Sequence, residues 1–415
     1  MTILSQLTDA DLWKTYYEYK QDKLLKWEDE NLTSFLEKAE YIPIAEDILA
    51  GGTFPPPRRS EISKMSSTKK RVVYTYPKKE NLVLKLLTYL VIREYDHLFA
   101  PNLYSFRANR CARDAMESLA EVPGIGQMWS YKADISDYFN SIPIDRMLPI
   151  LEQALPDDPE LFRFLAELLT NPLVNDNGTL REERKGIMAG TPISTFLANL
   201  YLADLDAHFH ATGRIYSRYS DDIILFAPSQ EDLERDVEFI HRHLAEKGLT
   251  MNPAKESRTT PGEEWVFLGF AWRNGKIDIA PASVEKLKAK MRRKARALLR
   301  WKDRKGKEPV HAARAFIKVF NRKLFETSAE HDLTWARWYF PTITTDESLR
   351  EIDHYAQSCI RFLATGKHNK SAYNFRYEDM KDLGYVSLVN RYYKQQCWDN
   401  PEETVANSKK IVYNA

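Results

Sequence analysis

Residues 214–229, RIYSRYSDDIILFAPS, set two adjacent carboxylates between two apolar, strand-like stretches. By itself a Ser-Asp-Asp connector reads as a hairpin turn, because short polar side chains bond to nearby backbone. A carboxylate at the end of a buried strand is nevertheless costly unless it is paired, hydrogen-bonded or bound to a cation. Another strand-like stretch, QMWSYKADI at 127–135, ends on Asp134, with Asp137 one turn later. Laid side by side, the two would bring Asp134 to Asp221 and Asp222. Three carboxylates at that range repel one another and require cations. Oxygen ligands with partial hydration suit Mg2+, and two such ions about 3.5–4 Å apart bridge the attacking and leaving oxygens of an in-line phosphoryl displacement.

Around this constellation, strands alternate with helices. Residues 1–50 read as acidic helices with Trp and Tyr on one face, and a Gly/Pro/Ser/Lys stretch at 51–77 leads into the strand-like RVVYTYP. Helical spacing recurs at 81–100, 109–120, 144–155, 159–170 and 194–210, and at 229–247, where Gly248 is a stop signal. Residues 173–187 form a loop or short hairpin about Asn177-Gly178, and EWVFLGFAWRNGKIDIAP (264–281) is a hairpin turning at Asn274-Gly275. Beyond 281 only helices are expected. The fold class is α+β.

A net charge of +1 conceals a strong asymmetry. Residues 1–50 hold 5 Lys/Arg against 11 Asp/Glu, whereas residues 281–325 hold 16 against 3. A nearly pure basic stretch with Trp301, Phe316, Phe320 and Phe325 interleaved suits the tracking of phosphates, and Arg292, Arg293 and Arg296 are its candidate contacts. Cys111, Cys359 and Cys397 lie far apart with no CxxC pair, which argues against structural zinc and a disulfide framework. The N-terminus has no signal-peptide core, and the longest apolar run, NLVLKLLTYLVI (81–92), is broken by Lys85 and too short for a bilayer. A soluble cytoplasmic protein without membrane contact is expected.

Five stretches in order, DISDYF (134–139), AGTPISTFLANLYLADLD (189–206), YSDD (219–222), GLTMNPAKE (248–256) and FLGF (267–270), resemble the palm motifs of reverse transcriptases. They are most similar to the bacterial kind in the group II intron and retron lineage. Upstream, RVVYTYP and FAPNLYSFRANRCARDAM (99–116) resemble the fingers of the same enzymes. The resemblance implies a right-hand polymerase with fingers, a palm built on an antiparallel sheet, and a helical thumb. The expected layout is an acidic helical segment at 1–50, fingers at 51–125, palm with fingers-type insertions at 126–280, and a basic helical thumb with a tail at 281–415.

Site roles follow from the same resemblance. Asp134, Asp221 and Asp222 are the catalytic carboxylates; Asp134 and Asp221 would hold two Mg2+ ions with the Ile135 carbonyl, and Asp222 sits beside them. Phe139 is the steric gate that selects dNTPs, so DNA is the expected product. Arg71, Arg107, Gly190 and Lys255 would contact the incoming nucleotide, although as isolated residues the arginines fit surface ion pairs and Lys255 an exposed loop. Phe267, Leu268 and Gly269 correspond to the primer grip, and Arg292, Arg293 and Arg296 to the thumb's phosphate contacts. One position departs from the family: Ala189 stands where Gln is common, which bears on contacts to the template base.

The C-terminal stretch NKSAYNFRYEDMKDLGYVSLVNRYYK (369–394) resembles the tails of standalone bacterial defence-associated reverse transcriptases. No RNase H pattern and no endonuclease His/Cys cluster is expected after 281. The partners so implied are dNTPs, a DNA product and a template RNA, in this subtype a structured noncoding RNA copied into cDNA during antiphage defence. Two other readings remain open: a noncatalytic, maturase-like RNA-binding protein, and a template-independent DNA polymerase on the same palm. Priming is open as well, since Tyr16, Tyr17 and Tyr19 suit a protein primer, core packing or RNA stacking equally.

Overall fold

Apolar residues spaced three and four apart build most of the helices, and capping residues set their ends. Ser229 Oγ accepts the Asp232 N–H at 3.1 Å, the helix then buries Leu233, Val237, Ile240 and Leu244, and the Leu249 N–H closes onto the Leu244 carbonyl at 2.8 Å. The computed structural model describes residues 2–21, 24–63, 70–325, 334–367 and 369–399. They divide into two units, Met1–Glu263 and Glu264–Ala415.

The first unit opens with α1 (Ala10–Lys20), α2 (Lys26–Glu37) and α3 (Tyr41–Leu49), the acidic segment of the sequence. Their inward residues Trp13, Tyr16, Leu32, Phe35 and Ile48 are buried, while the acids stay outside. Strands β1 (Arg58–Ser63) and β2 (Lys70–Thr75) pair antiparallel, followed by α4 (Lys78–Glu94) and α5 (Ala112–Ala120). Then come β3 (Trp129–Asp134), α6 (Tyr138–Ser141), α7 (Ile144–Ala154), α8 (Pro159–Thr170), β4 (Leu173–Asp176) and β5 (Thr179–Glu182). The unit ends with α9 (Ser194–Tyr201), α10 (Ala203–Ala211), β6 (Ile215–Tyr219), β7 (Asp222–Ala227), α11 (Gln230–Glu246) and β8 (Ser257–Thr259).

Two sheets result. One has the order β2-β1-β4-β5, and the other, which carries the carboxylates, has the order β6-β7-β3-β8 with every pairing antiparallel. In the second sheet β7 is central and Ile223 through Ala227 are buried on both faces, which explains its unbroken apolar run. Each fully buried Ile, Leu or Phe there contributes about 1.5–3 kcal/mol, enough to hold charged residues at the strand ends. Helix α11 packs across β3 and β7.

The second unit begins with a three-stranded sheet of β9 (Trp265–Phe267), β10 (Phe270–Arg273) and β11 (Lys276–Ile279). Residues 264–281 therefore make two turns, at Leu268-Gly269 and Asn274-Gly275, where one hairpin is expected from sequence. Helices α12 (Pro281–Lys305), α13 (Pro309–Leu324), α14 (Trp335–Tyr339), α15 (Glu347–Thr365), α16 (Tyr377–Asp382) and α17 (Leu388–Asp399) follow, with α12, α13 and α15 packed on one another. The division at 263/264 groups the 265–279 sheet with these helices rather than with residues 126–263. Among the described residues no helix is long and apolar enough to cross a membrane. Cys111 and Cys359 are free thiols; the Cys397 side chain lies outside the described part.

Candidate active site

The register of the carboxylate sheet does the first part of the assembly. Asp134 at the end of β3 lies directly opposite Asp222 at the start of β7, and Tyr219 pairs with Asp222, leaving Ser220-Asp221 as a two-residue turn. The Ile135 N–H donates to the Asp221 carbonyl at 3.0 Å, joining the turn to the next segment. That segment is pinned in turn by the Asn252 N–H on the Asp134 carbonyl at 2.8 Å and the Ser136 N–H on the Thr250 carbonyl at 2.9 Å.

Ser220 has φ 61°, a left-handed conformation that costs a non-glycine residue of order 1–3 kcal/mol unless its surroundings hold it. Here they do. Ser220 donates its N–H to Ser105 Oγ at 2.8 Å, and its carbonyl accepts from Arg218 Nη1 at 3.2 Å. The Arg218 side chain is wholly buried and donates to Asp206 through Nε at 2.8 Å and Nη2 at 2.5 Å. Asp206 also accepts from the Tyr216 hydroxyl at 3.1 Å. Sequence reading missed Arg218, Asp206 and Ser105; the one available signal was an arginine inside IYSRY, a stretch otherwise read as buried.

One ligand oxygen from each of Asp134, Asp221 and Asp222 lies within 4.8 Å of the others. Burial, then the charge of Asp134, raises the Asp221 carboxyl. Burial chiefly pushes Asp222 up to about 6, against the pull of Lys132. Crowded, partly desolvated carboxylates of this kind fit a hard divalent cation, since the donor set is all oxygen and its repulsion is relieved on binding. Lys255 Nζ donates to Asp134 Oδ1 at 2.5 Å and so competes for the same oxygen.

Phe139, on α6, meets Phe106 edge to face with ring centroids 6.3 Å apart, and Tyr138 at 5.8 Å. It lines a groove together with Arg71, Ala189 and Gly190. Gly190 has φ 102°, and a Cβ there would stand 3.0 Å from the Tyr74 carbonyl and 3.1 Å from Val73 Cβ, so only glycine lets this loop lie against β2. The Tyr74 N–H donates to the Ala189 carbonyl at 2.8 Å, and the Ala189 methyl is buried. Arg71 Nε is buried without a hydrogen-bond partner, a donor suited to a phosphate oxygen. Four residues before Ala189, Lys185 is 3% exposed with an unpartnered Nζ, and burial lowers it to about 8.

Arg107 is tied into its own loop. Its fork grips both Asp96 oxygens at 2.7 Å, and its remaining donors reach the carbonyls of Ala100, Leu103 and Asp96. A guanidinium has five N–H donors, and these brace the 96–107 loop, while the residue itself lines the same groove as Arg71 and Phe139.

In the second unit, Phe267 is buried, and Leu268-Gly269 forms the tip between β9 and β10 with Leu268 at φ 52°. Arg292, Arg293 and Arg296 are exposed on α12. Burial, then the charges of Lys290 and Arg293, lowers Lys323 of α13, so these three cations lie near one another.

The family described as reverse transcriptase (RNA-dependent DNA polymerase) matches residues 62–272, just over half of the chain. A 91 kDa protein of the cob intron of Schizosaccharomyces pombe is 32% identical over 158 residues, 37% of this chain and 18% of that protein. The retron Ec86 reverse transcriptase of Escherichia coli is 24% identical over 173 residues, 41% of this chain and 50% of that one. The chain thus spans half or less of the length of these relatives. Apo telomerase of Candida tropicalis is similar in structure at a TM-score of 0.47 and 9% identity, covering 80% of this chain and 60% of that one. With the 62–272 match containing the carboxylate turn, Phe139 and Gly190, the chain belongs to the reverse transcriptase family.

Proposed function

We propose that the protein is an RNA-directed DNA polymerase that uses two Mg2+ ions. The observation that carries this reading is the gathering of Asp134, Asp221 and Asp222 on one strand-turn-strand frame, with the charge of Arg71, which lines the Phe139 groove, acting on Asp221. Asp134 and Asp221, with the Ile135 carbonyl, are the proposed ligands, and Asp222 adds negative charge next to them. When bound, the ions would supply Lewis-acid activation of the primer hydroxyl and charge neutralisation on the triphosphate. Arg71 binds and orients the triphosphate, Phe139 excludes a 2′-hydroxyl from the sugar site, and Gly190 brings backbone close to the nucleotide. Lys255 exchanges Asp134 for the triphosphate end and can give a proton to the departing pyrophosphate. In the second unit, Phe267, Leu268 and Gly269 support the primer, and Arg292, Arg293 and Arg296 bind template–primer phosphates. Residues 51–125, 126–280 and 281–415 would then serve as fingers, palm and thumb. The resemblance of residues 369–394 supports a cytoplasmic role in antiphage defence, with a structured noncoding RNA as template.

Ala189 favours one further reading, DNA synthesis without a template, because a buried methyl stands where a template-contacting amide is common. Sequencing the nucleic acid that co-purifies with the wild type and with the Asp221→Ala/Asp222→Ala variant tests both. RNA in both preparations with complementary DNA in the wild type alone supports templated synthesis. DNA with no RNA counterpart supports the second reading, and DNA in neither preparation overturns both.

A further inference from the structure

The groove that contains Phe139 extends well beyond it. It encloses about 1350 Å³, more than the roughly 300–1,000 Å³ of sites that take small molecules. Arg71, Phe139 and Gly190 line one part, and another part is walled by α1, α2 and α4. Helices α1 and α2 lie outside the 62–272 match.

The chemistry of that wall is distinctive. Tyr19 and Tyr89 have ring centroids 5.0 Å apart, and the Arg93 guanidinium lies over both, 3.5 Å from the Tyr89 centroid and 4.9 Å from that of Tyr19. Lys20 sits 5.4 Å from the Tyr19 centroid. Trp27 on α2 is 59% exposed, unusual for an indole that serves only to pack a core. Charge is sorted as well. Residues 1–50 hold 11 acids and 5 bases, yet among the described residues that line the groove Glu28 is the one acid against seven lysines and arginines. Helices that were merely solvated would show both signs here. Tyr89 is half-buried with Arg93 over its ring, whereas Tyr19 and Trp27 are exposed. Exposed rings interleaved with cations bind single-stranded nucleic acid, with bases stacking on the rings and phosphates meeting the charges. A duplex hides its base faces and cannot use such a wall.

We infer that Tyr19 and Trp27, with Lys20 and Arg93 beside them and Tyr89 packed behind, form a stacking platform for single-stranded RNA, the part of the template not yet copied. This rests on the reading above that the chain copies RNA. The platform grips the strand by ring faces and phosphates, so it holds RNA without reading its sequence.

The test compares binding of the full chain, by fluorescence anisotropy, to a blunt RNA–DNA template–primer and to one with a short single-stranded 5′ RNA extension. The extension should tighten binding in the wild type, and Tyr19→Ala with Trp27→Ala should remove that gain, about tenfold per stacked base, with blunt-end affinity unchanged. Tyr19→Phe with Trp27→Phe keeps the rings and should keep the gain, which separates stacking from misfolding. A gain absent from the wild type, or undiminished in the alanine variant, overturns the platform. Ring faces and phosphates are common to both nucleic acids, so a DNA extension should give a comparable gain, and a gain from DNA far above that from RNA overturns the assignment to template RNA. A chain that shows the gain but makes no DNA would sink the polymerase reading while the platform stands.

Discussion

Asp134 and Asp222 face each other across neighbouring antiparallel strands, so two of the three carboxylates are brought together by backbone pairing before any ion arrives. A one-residue slip would send one of them to the opposite face. The two-residue Ser220-Asp221 turn and the Ile135 N–H on the Asp221 carbonyl hold the register, since the run Ile223–Ala227 is apolar on both faces and sets none.

This arrangement makes pH act in opposite directions on the free and the metal-bound protein. Asp222 is raised to about 6 by burial, and Asp221 is raised by burial and by Asp134. Between the ordinary carboxylate value and about 6 the folded chain holds more protons than the unfolded one, so metal-free stability falls as pH rises through that window. Divalent-ion binding needs the ionised carboxylates, so its stabilisation should grow over the same interval. Melting curves with and without Mg2+ should show a larger shift at pH 7.5 than at pH 5, and Asp222→Asn should flatten the difference. Equal shifts at both pH values would remove Asp222 from the site.

Phe139 is held edge-on by Phe106 and Tyr138, so its ring is a fixed wall. Phe139→Ala should admit ribonucleotides and lower the dNTP-to-NTP ratio of kcat/KM by roughly tenfold or more, equivalent to about 1.4 kcal/mol. Unchanged sugar selectivity would show that the wall lies elsewhere. Phe139→Tyr should keep the selectivity.

The Arg218–Asp206 pair links stability to the shape of the catalytic turn. Arg218→Met leaves a buried carboxylate without its partner and should cost about 3–5 kcal/mol. Adding Asp206→Leu should recover much of that stability, because an apolar pair can replace a buried ion pair. Activity should stay low in the double variant, since the bond from Arg218 to the Ser220 carbonyl is not restored. Denaturant melts and polymerisation assays on both variants separate the two effects; recovered activity would make Arg218 a stability element alone.

How much was legible in the sequence follows from where each constraint resides. Helices α7 and α8 end where their spacing says, and the turn at Asn177-Gly178 joins β4 to β5, because periodicity and turn chemistry are local. Strand β1 was missed, since RRSEIS carries no apolar alternation and is held by pairing with β2. The 194–210 helix breaks at Leu202, which no proline or glycine announces. Arg218 meets Asp206 across a fold, twelve residues apart, and nothing local marks such a partner. Arg107 carries the family's residue type, yet Asp96 takes its fork, a competition that appears only once the loop is folded.

The exposed arginines of α12 provide the most direct test of nucleic-acid binding in the second unit. Arg292, Arg293 and Arg296 are exposed, and the helix also carries Lys290, whose charge reaches Lys323 on α13. Phosphate binding by such a face releases counterions, so the logarithm of affinity falls linearly with the logarithm of salt concentration. Replacing the three arginines by glutamine should weaken template–primer binding at low salt and flatten that slope by about 0.9 for each phosphate that is no longer neutralised. The weakening should be the same for unrelated sequences, because backbone contacts carry no sequence information. A slope identical to the wild type would mean that α12 does not touch the duplex. A sequence-dependent weakening would mean that these side chains reach base edges instead of phosphates.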